Sequence, residues 1–416
     1  MAGKLKIQHR DLRTGRTVWQ ARGRPSVPKS ALWSTLDADV LVVGAGISGA
    51  LTAYLLAQAG LRVVIVDRRG LVCGSTVAST ALLQFEIDTP LTKLIGLIGR
   101  DAAERAWRRS AQSVQDLGRL VERAAIACSW APREALYLAG NSLNADGLAA
   151  ECAARRRIGL PSEMIGRAAL RKEYGIDRAA AIRSGGAAEV DPVRLAAGFI
   201  QHAVARGARF LAPLEIASVT ASARGIAART KSGPVLRASH MVYATGYEIP
   251  RRVPARGHRL ISTWAIATAP QPDRLWRSRC LIWEASDPYL YVRTTLDGRV
   301  IAGGEDQPID DEEERDALIE AKSSALQKKL RALLPHLDAT PDFAWAGTFG
   351  ESDTGLPSIG RVPGMPRCYA ILGYGGNGIT FSMIAAQMIC GYIRGPRDPD
   401  CDLFSFEAKR RQALKA

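Results

Sequence analysis

The sequence lacks long apolar runs. None of its hydrophobic stretches approaches the ~20 residues that a membrane-spanning helix requires, because each ends at glycine or at a charged residue. The N-terminus is basic, but no apolar segment of the signal-peptide type follows its charges. We therefore expect no membrane span and a cytoplasmic protein.

Metal-ligating residues are few and poorly spaced. The seven cysteines form no C-x-x-C pair, none has a histidine at ligand spacing, and the five histidines lie far apart. These spacings argue against a zinc centre and against a disulfide framework. We predict reduced thiols and no metal site.

Positive charge is in excess, at a formal +15, and it is unevenly distributed. Residues 1–30 contain eight lysines and arginines but only one acid, Asp11. We expect residues 1–36 to form a solvated basic arm and Arg155–Arg157 to lie on a helix surface. Because no nucleic-acid-binding motif accompanies these charges, we expect no nucleic-acid partner. Binding of nucleic acid or another anionic ligand through the arm is kept as a non-enzymatic alternative.

A strand, a glycine-rich turn, a helix and a second strand open the folded part of the chain. Residues 39–43 are continuously apolar, as in a buried parallel strand, and residues 44–49 read G-x-G-x-x-G. Residues 50–60 predict a helix that ends at a glycine, and residues 61–67 predict a strand that ends in an acid. This order favours a dinucleotide-binding unit over an accidental glycine cluster.

Each glycine of this turn has a physical task in such a unit. Gly44 allows the tight turn, Gly46 lets the backbone approach a pyrophosphate, and Gly49 lets the helix pack on the strand. The helix start offers N–H groups and positive potential to the phosphates. Asp67 can accept hydrogen bonds from the adenosine ribose.

Two further segments bear on which dinucleotide is bound. An NAD dehydrogenase would complete its second half soon after Asp67, but this chain continues into the small, hydroxylated segment 74–79 and a long helical region. A second G-x-G-x-x-G at 373–378 stands between a strand and a helix, whose N-terminus could stabilise negative charge on a reduced flavin. We therefore favour FAD, with an NAD(P)-dependent dehydrogenase as the alternative.

Pieces of a nucleotide domain alternate with pieces of another domain, as expected for a chain above the single-core size. The predicted fold class is α/β, with a Rossmann-like FAD-binding domain and an inserted antiparallel-sheet α+β substrate domain. Predicted helices cover 100–128, 143–157, 167–174, 192–206 and 310–334. The predicted FAD-binding domain comprises 37–90, 180–255 and 345–400, the substrate or cap domain 91–179 and 256–344, and a C-terminal tail 401–416.

These motifs resemble the D-amino-acid oxidase family of flavoproteins, which includes glycine oxidase and monomeric sarcosine oxidase. The resemblance extends from about 37 to 395, and the basic leader is more similar to the gamma-glutamylputrescine oxidase branch. The matching segments are Val40–Asp67, Gly74–Ser79, Glu189–Val193, Leu214–Ile216, Ala244–Gly246, Gly355–Gly360 and Gly373–Gly378. The resemblance assigns to FAD Gly44, Gly46, Ile47, Ser48, Gly49, Asp67, Arg68, Gly74, Ser75, Thr76, Ser79, Ile216, Ala244, Thr245, Gly246, Gly373, Gly375, Gly376, Asn377, Gly378 and Ile379.

The resemblance implies oxidation of a C–N bond of an amine or amino acid by hydride transfer to flavin N5. Imine hydrolysis and reoxidation of the flavin by oxygen or another acceptor would follow. The flavin performs the redox step, so few acid–base groups are needed. Because neither cysteine nor histidine occurs at 74–86 or 349–360, where covalent members attach the cofactor, we expect noncovalent FAD.

The resemblance is less informative about the substrate. Phe349 stands where glycine oxidase-like members have an arginine for the substrate carboxylate, and Arg293 is a candidate replacement. Gln84 should follow the pyrophosphate turn, and Trp264 and Tyr291 on predicted strands could provide aromatic walls for a cationic amine. Glu86, His258 and Arg259 are weaker candidates, each with pairing or a turn as its ordinary role.

Overall fold

The computed structural model describes residues 3–4, 7, 9–23 and 25–408, which build two sheets with helices packed against them. In chain order the described strands are β1 (Gly3–Lys4), β2 (Arg13–Gly15), β3 (Leu36–Val43), β4 (Val63–Val66), β5 (Leu82–Leu83), β6 (Ala131–Leu138), β7 (Ser162–Gly166), β8 (Ala180–Glu189), β9 (Arg209–Leu211), β10 (Ile216–Ser222), β11 (Gly225–Thr230), β12 (Val235–Tyr243), β13 (His258–Thr268), β14 (Leu281–Glu284), β15 (Leu290–Thr294), β16 (Val300–Gln307), β17 (Pro341–Ser352), β18 (Ser358–Arg361) and β19 (Cys368–Leu372).

The described helices follow the same order. They are α1 (Ile47–Gln58), α2 (Leu91–Ile98), α3 (Arg100–Arg123), α4 (Ala145–Arg157), α5 (Arg167–Tyr174), α6 (Pro192–Ala205), α7 (Glu312–Ala317), α8 (Ile319–Leu333) and α9 (Gly378–Arg394), with short 3₁₀ turns at Gln20–Arg22, Ser75–Ala78, Pro272–Arg274 and Gly375–Asn377. Thus the segment predicted as one helix over 310–334 is two helices.

The first sheet positions the loops of interest at one edge. Its strand order is β1-β10-β11-β12-β3-β4-β9, with β19 pairing β12 and β18 pairing β19. The pairs β12–β3, β3–β4 and β12–β19 are parallel. Because parallel strands end at the same edge, the loops that begin at residues 44, 67, 244 and 373 meet there.

Local sequence explains the elements around this edge. The side chains of Val63–Val66 are all buried, because helices and sheet cover both faces of a parallel strand. Helix α1 packs against α6 and α9 on one side of the sheet. Helix α6 begins where the Asp191 carboxylate accepts from the N–H groups of Val193 and Arg194, with Pro192 in the first turn.

The second sheet is mostly antiparallel, in the order β2-β17-β13-β16-β15-β14-β6-β8-β5, with β7 pairing β8. Helix α8 covers β13, β16 and β17. The strands β6, β7 and β8 were not predicted. Strands β8 and β17 belong to this sheet, so the boundaries predicted at 180 and 345 differ from the sheet membership that the structure gives.

The prediction of a solvated N-terminal arm is wrong for the described part of that segment. Strand β2 pairs with β17, and Leu12, Val18, Trp19 and Val27 are buried. Trp19 Nε1 donates to the carbonyl of Ser79 at 2.8 Å. Apolar side chains interspersed among the arginines hold the segment to the body, because their burial outweighs the solvation of neighbouring charges.

The expectation that Arg155 lies on a helix surface is also wrong. Its side chain is fully buried, and Nε donates to Glu151 at 2.9 Å. The guanidinium lies 4.7 Å from the Trp107 ring and 3.6 Å from a carboxylate oxygen of Glu86. A charge run on α4 therefore contains one inward-facing member, because helical geometry turns neighbouring residues to different sides.

Two absences concern the described residues alone. No helix among them is long and apolar enough to cross a membrane. Nor does any group of three or more His, Cys, Asp or Glu side chains in this part of the chain form an arrangement that could hold a metal ion.

Candidate active site

A cavity of about 560 Å³ lies where the loops of the first sheet meet the second sheet. We call one end the glycine end, formed by residues 44–48, 67–69, 214–216 and 244–248. We call the other the acidic end, where Asp88, Glu284, Asp306 and Glu351 line the wall beside several aromatic rings. Among the described residues, those of the glycine end and those of the acidic end line the same cavity.

The first glycine turn is packed so tightly that side chains would not fit. Gly44 has a φ of +114°, and a Cβ there would lie 2.2 Å from the carbonyl oxygen of Ala244. A Cβ at Gly49 would lie 1.9 Å from the carbonyl oxygen of Gly44, so this glycine allows α1 to pack on the turn. A Cβ at Gly46 would lie 3.0 Å from Thr76 Oγ1 and would extend into the cavity wall.

The N-terminus of α1 faces the cavity without a side-chain cap. Helix α1 begins after Gly46, and the N–H of Ile47 donates to Thr76 Oγ1 at 3.1 Å. Ser48 lines the cavity and donates to Tyr374 Oη at 2.8 Å, which connects α1 to the last glycine loop. Uncapped N–H groups and the helix dipole make this a favourable place for a phosphate.

Asp67 follows β4 at the glycine end. One carboxylate oxygen accepts from the N–H of Ala45 at 2.8 Å, and the other accepts from the N–H groups of Arg69 and Gly70. A carboxylate accepts about four hydrogen bonds, so it retains capacity for a ligand hydroxyl. Arg68 beside it is paired with Glu248 at 2.7 Å.

The last glycine loop contacts the acidic end. The N–H of Gly376 donates to the Asp88 carboxylate at 2.7 Å. The Asn377 amide donates to the carbonyl of Glu86 at 2.7 Å, and Thr380 donates to the carbonyl of Gln84 at 3.1 Å. These bonds fix the segment from Gln84 to Asp88 against the start of α9.

Two carboxylates of the acidic end have guanidinium partners, and two do not. Glu351 pairs with Arg259, and Glu284 pairs with Arg178 at 2.7 Å. Asp306 accepts from Tyr289 Oη at 2.6 Å, whereas Asp88 accepts from the loop N–H described above. Within the described part of the chain, neither of these two forms a salt bridge.

Burial raises the pKa of both uncompensated carboxyls. The pKa of Asp88 rises from 3.8 to about 6, chiefly through desolvation and secondarily through the charge of Glu351, against the Gly376 N–H. The pKa of Asp306 rises to about 6 for the same main reason, with Asp88 and Glu351 adding to it and Thr263 and Tyr289 opposing it. Asp88 is exposed, and it lines the cavity.

Aromatic rings form much of the remaining wall at the acidic end. Tyr137 and Trp283 stack with centroids 3.7 Å apart, and Tyr289 and Tyr291 lie 5.8 Å apart. Burial, with the nearby Asp306 charge, raises the pKa of both Tyr289 and Tyr291. These phenols are therefore neutral hydrogen-bonding groups at physiological pH.

The predicted cofactor residues converge on this cavity. All except Gly49 and Gly373 line it, and those two act by packing: a Cβ at Gly373 would lie 2.0 Å from the His258 ring. Of the predicted substrate residues, Gln84, Tyr291 and Phe349 line the cavity.

Two predicted substrate residues lie elsewhere. Trp264 is fully buried in the core of the second sheet and donates to the carbonyl of Arg315 at 3.2 Å. The Arg293 side chain is 2% exposed, and it donates to the carbonyls of Ala81 and Val190. Because its guanidinium is buried and bonded in this way, it cannot bind a substrate carboxylate in the cavity. A strand side chain faces one side of its sheet, and the sequence did not reveal which side these two residues take.

The weaker candidates also lie outside the cavity lining. Glu86 is buried beside Arg155, and desolvation raises its pKa. His258 is hydrogen-bonded to Ser358 at 2.8 Å, and Arg259 is mostly exposed in its pair with Glu351.

Sequence reasoning missed most of the acidic end. The sequence analysis did not single out Asp88, Asp306, Tyr289 and Trp283. It also did not single out three residues of the N-terminal segment that line the glycine end: Ile7, His9 and Leu12. One signal was present in the segment that forms β16: the pair Gly303-Gly304 directly precedes Glu305-Asp306. A Cβ at Gly303 would lie 2.3 Å from Tyr291 Oη, so that glycine makes space for the tyrosine.

The residues present fit a bound flavin dinucleotide. The glycine turn leaves room where a Cβ would intrude, the start of α1 suits a pyrophosphate, and Asp67 has acceptor capacity for a ribose. At the other side, the start of α9 and its glycine loop supply N–H groups beside a space lined by side chains of the second sheet.

Comparison with known proteins gives the same assignment. The DAO family, described as FAD dependent oxidoreductase, matches residues 39–391. The chain is 24% identical over 394 residues to gamma-glutamylputrescine oxidoreductase of Escherichia coli, covering 91% of this chain and 89% of the relative. It is 24% identical over 400 residues to glycine oxidase of Bacillus licheniformis, covering 90% and 98%.

Solved structures share the fold. Glycine oxidase from Geobacillus kaustophilus superposes with a TM-score of 0.73 at 20% identity, covering 89% of this chain and 98% of that one. L-proline dehydrogenase from P. horikoshii gives 0.73 at 17% identity, covering 91% and 99%. The predicted fold class is confirmed.

Proposed function

Because the chain belongs to the DAO family of FAD-dependent oxidoreductases, we propose that it oxidises a C–N bond of a small amine or amino acid. The observation that carries this proposal is the single cavity that joins a dinucleotide cradle to an enclosed space of small-molecule size. The names of the relatives, glycine oxidase and gamma-glutamylputrescine oxidoreductase, support it. No specific observation favours an NAD(P)-dependent dehydrogenase or nucleic-acid binding.

The proposal includes noncovalent FAD. The first glycine turn and the start of α1 would hold the pyrophosphate, Asp67 the ribose, and the last glycine loop the flavin. No cysteine among the described residues lines the cavity. His9 is the histidine among the described lining residues, and it lies at the glycine end, hydrogen-bonded to Glu215 at 3.0 Å. This arrangement supports a cofactor bound without a covalent link.

Bound FAD would supply an acceptor for the hydride from the carbon next to the substrate nitrogen. The protein residues then have binding and orienting tasks. The rings of Phe349, Tyr289 and Tyr291 line the part of the cavity where the substrate would react, and they reduce the access of water to it. Gln84 Oε1 offers an acceptor for a substrate N–H. Water hydrolyses the imine product, and oxygen or another acceptor takes the electrons.

We also propose the cytoplasm as the compartment. Five of the cysteines, Cys128, Cys152, Cys280, Cys368 and Cys401, are buried and form no disulfide, which is the usual state in a reducing environment.

The test begins with the purified protein. We expect a yellow protein whose flavin is released into the supernatant by acid precipitation, as a noncovalent cofactor must be. Anaerobic mixing with a panel of primary amines, secondary amines and amino acids should bleach the flavin absorbance with at least one class. A colourless protein that binds nicotinamide nucleotides instead would contradict the proposal.

A further inference from the structure

The acidic end of the cavity has a charge arrangement that bears on which amine is bound. Its wall contains Asp88, Glu284, Asp306 and Glu351. Three lysine or arginine side chains are among the described lining residues. Arg68 and Arg69 are bound to Glu248 at the glycine end, and Lys93 is an exposed residue of α2.

Asp88 and Asp306 are therefore the carboxylates left for a ligand. Asp88 accepts from the Gly376 N–H and Asp306 accepts from Tyr289 Oη, and neither carboxylate forms a salt bridge within the described part of the chain. Loss of water raises the pKa of both carboxyls, and the charge of Asp88 adds to the rise at Asp306, so ionisation of these groups is costly. A cationic ligand would relieve that cost, and an anionic one would add to it.

A second observation, independent of the carboxylates, indicates a ligand with N–H groups. Gln84 lines the same space, its side chain is 7% exposed, and Oε1 has no hydrogen-bond partner among the described residues. A buried unpaired acceptor costs free energy unless a donor reaches it. Ammonium and amine nitrogens are such donors.

The aromatic rings add a further preference for positive charge. Tyr289 and Tyr291 stand beside Asp306, and Trp283 lines the same end. Ring faces attract ammonium groups, most strongly where water is excluded. Phe349, on β17 of the second sheet, also lines the cavity and offers no charge to a substrate carboxylate.

A ligand with one cationic nitrogen cannot compensate the charges of Asp88 and Asp306 throughout the reaction. The reacting nitrogen must be neutral when the hydride leaves its neighbouring carbon, because a protonated amine has no lone pair to form the C=N bond. Once that nitrogen has lost its proton, a monoamine leaves Asp88 and Asp306 without a cation. A second, non-reacting ammonium would remain to pair with them.

We propose that the substrate is a diamine or oligoamine, with a second cationic nitrogen bound by Asp88 and Asp306 and no carboxylate beside the reacting nitrogen. This inference rests on the proposed amine oxidation and specifies its substrate class. It also assigns Asp88, Asp306 and Gln84 as binding residues of the acidic end.

The test compares three four-carbon probes and glycine in the flavin-loaded enzyme. Anaerobic stopped-flow reduction would be measured with 1,4-diaminobutane, butylamine, 4-aminobutanoate and glycine. We expect the apparent Kd to be roughly tenfold lower for 1,4-diaminobutane than for butylamine, and highest for the two carboxylates. Asp306→Asn should remove most of the diamine preference by raising the apparent Kd for 1,4-diaminobutane to near that for butylamine in the same variant.

Asp88→Asn provides a second variant with the same expected loss of preference. Asp101→Asn is the matched control, because that aspartate is 86% exposed on α3 away from the cavity, and it should preserve the preference. Stronger reduction by glycine or 4-aminobutanoate than by the amines would overturn the inference and leave the proposed function intact.

Equilibrium binding separates the two failures. If no member of the wider panel of primary amines, secondary amines and amino acids reduces the flavin, the proposed function fails, and calorimetric titration of the oxidised enzyme with 1,4-diaminobutane still tests the site. Tighter binding of 1,4-diaminobutane than of butylamine, lost in Asp306→Asn, would support the inference. Equal binding of the two would overturn it.

Discussion

The two ends of the cavity are built in different ways. The glycine end consists of short turns after parallel strands, and much of what it offers a ligand is backbone: N–H groups at the start of α1 and the space at Gly44 and Gly46. The acidic end consists of side chains from a loop, β14, β15, β16 and β17, which arrive from separate parts of the chain. Backbone recognition leaves a local signature in the sequence, whereas converging side chains do not.

We expect the largest effect on stability from removing Arg155, which is at the centre of a buried ion network behind the acidic end. Arg155→Leu would leave Glu86 and Glu151 buried without their guanidinium partner. We expect a loss of about 3–5 kcal/mol in the free energy of unfolding, measured by chemical denaturation. Arg156→Leu, at the exposed neighbouring position, should change stability by less than about 0.5 kcal/mol. Similar losses in both variants would show that the network is not structural.

Gly46→Val should affect the glycine end alone. The added carbons would meet Thr76 Oγ1 and fill the cradle, while the φ of Gly46 is accessible to any residue. We expect flavin affinity to fall about 100-fold, measured by titration of the apoprotein with FAD, with the fold retained by circular dichroism. Gly96→Ala in α2 meets nothing within 4 Å and should bind FAD normally. Unchanged affinity in Gly46→Val would contradict the assignment of this turn.

A smaller effect concerns pH at the acidic end. The Asp306 pKa in the folded protein is about 6, above its ordinary 3.8, so ionisation there opposes folding. The cost is absent below about pH 4, grows between pH 4 and 6, and is complete above pH 6. Asp306→Asn should therefore raise Tm at pH 8 by ~2–4 °C more than at pH 4, measured by differential scanning fluorimetry. A pH-independent shift would contradict this explanation, and Asp101→Asn serves as the control.

The success and failure of the sequence predictions follow the same division. Gly44, Asp67 and Gly376 line the cavity, and the sequence could single them out because a strand, a turn and a helix fix their geometry within a few residues. Arg293 and Trp264 were expected there and lie elsewhere, because a strand residue faces one of two sides and only the packed sheet determines which. Asp88 was overlooked because no motif near it in the sequence predicts its contact with Gly376.

The N-terminal segment shows a further limit of composition. Its excess of arginine and lysine predicted solvation, yet Leu12, Val18 and Trp19 are buried and Arg22 forms a salt bridge with Asp297. Net charge describes a segment as a whole, whereas burial depends on where individual apolar side chains can pack.

The parallel strands, the two glycine turns and the acid after β4 followed from the sequence, since hydrogen bonding and backbone sterics over short distances dictate them. The presence of Asp88 and Asp306 in one cavity and the removal of Arg293 from it were decided by the docking of one sheet against the other. Those contacts join residues far apart in the chain, and their energies depend on burial, which exists only after the sheets have packed.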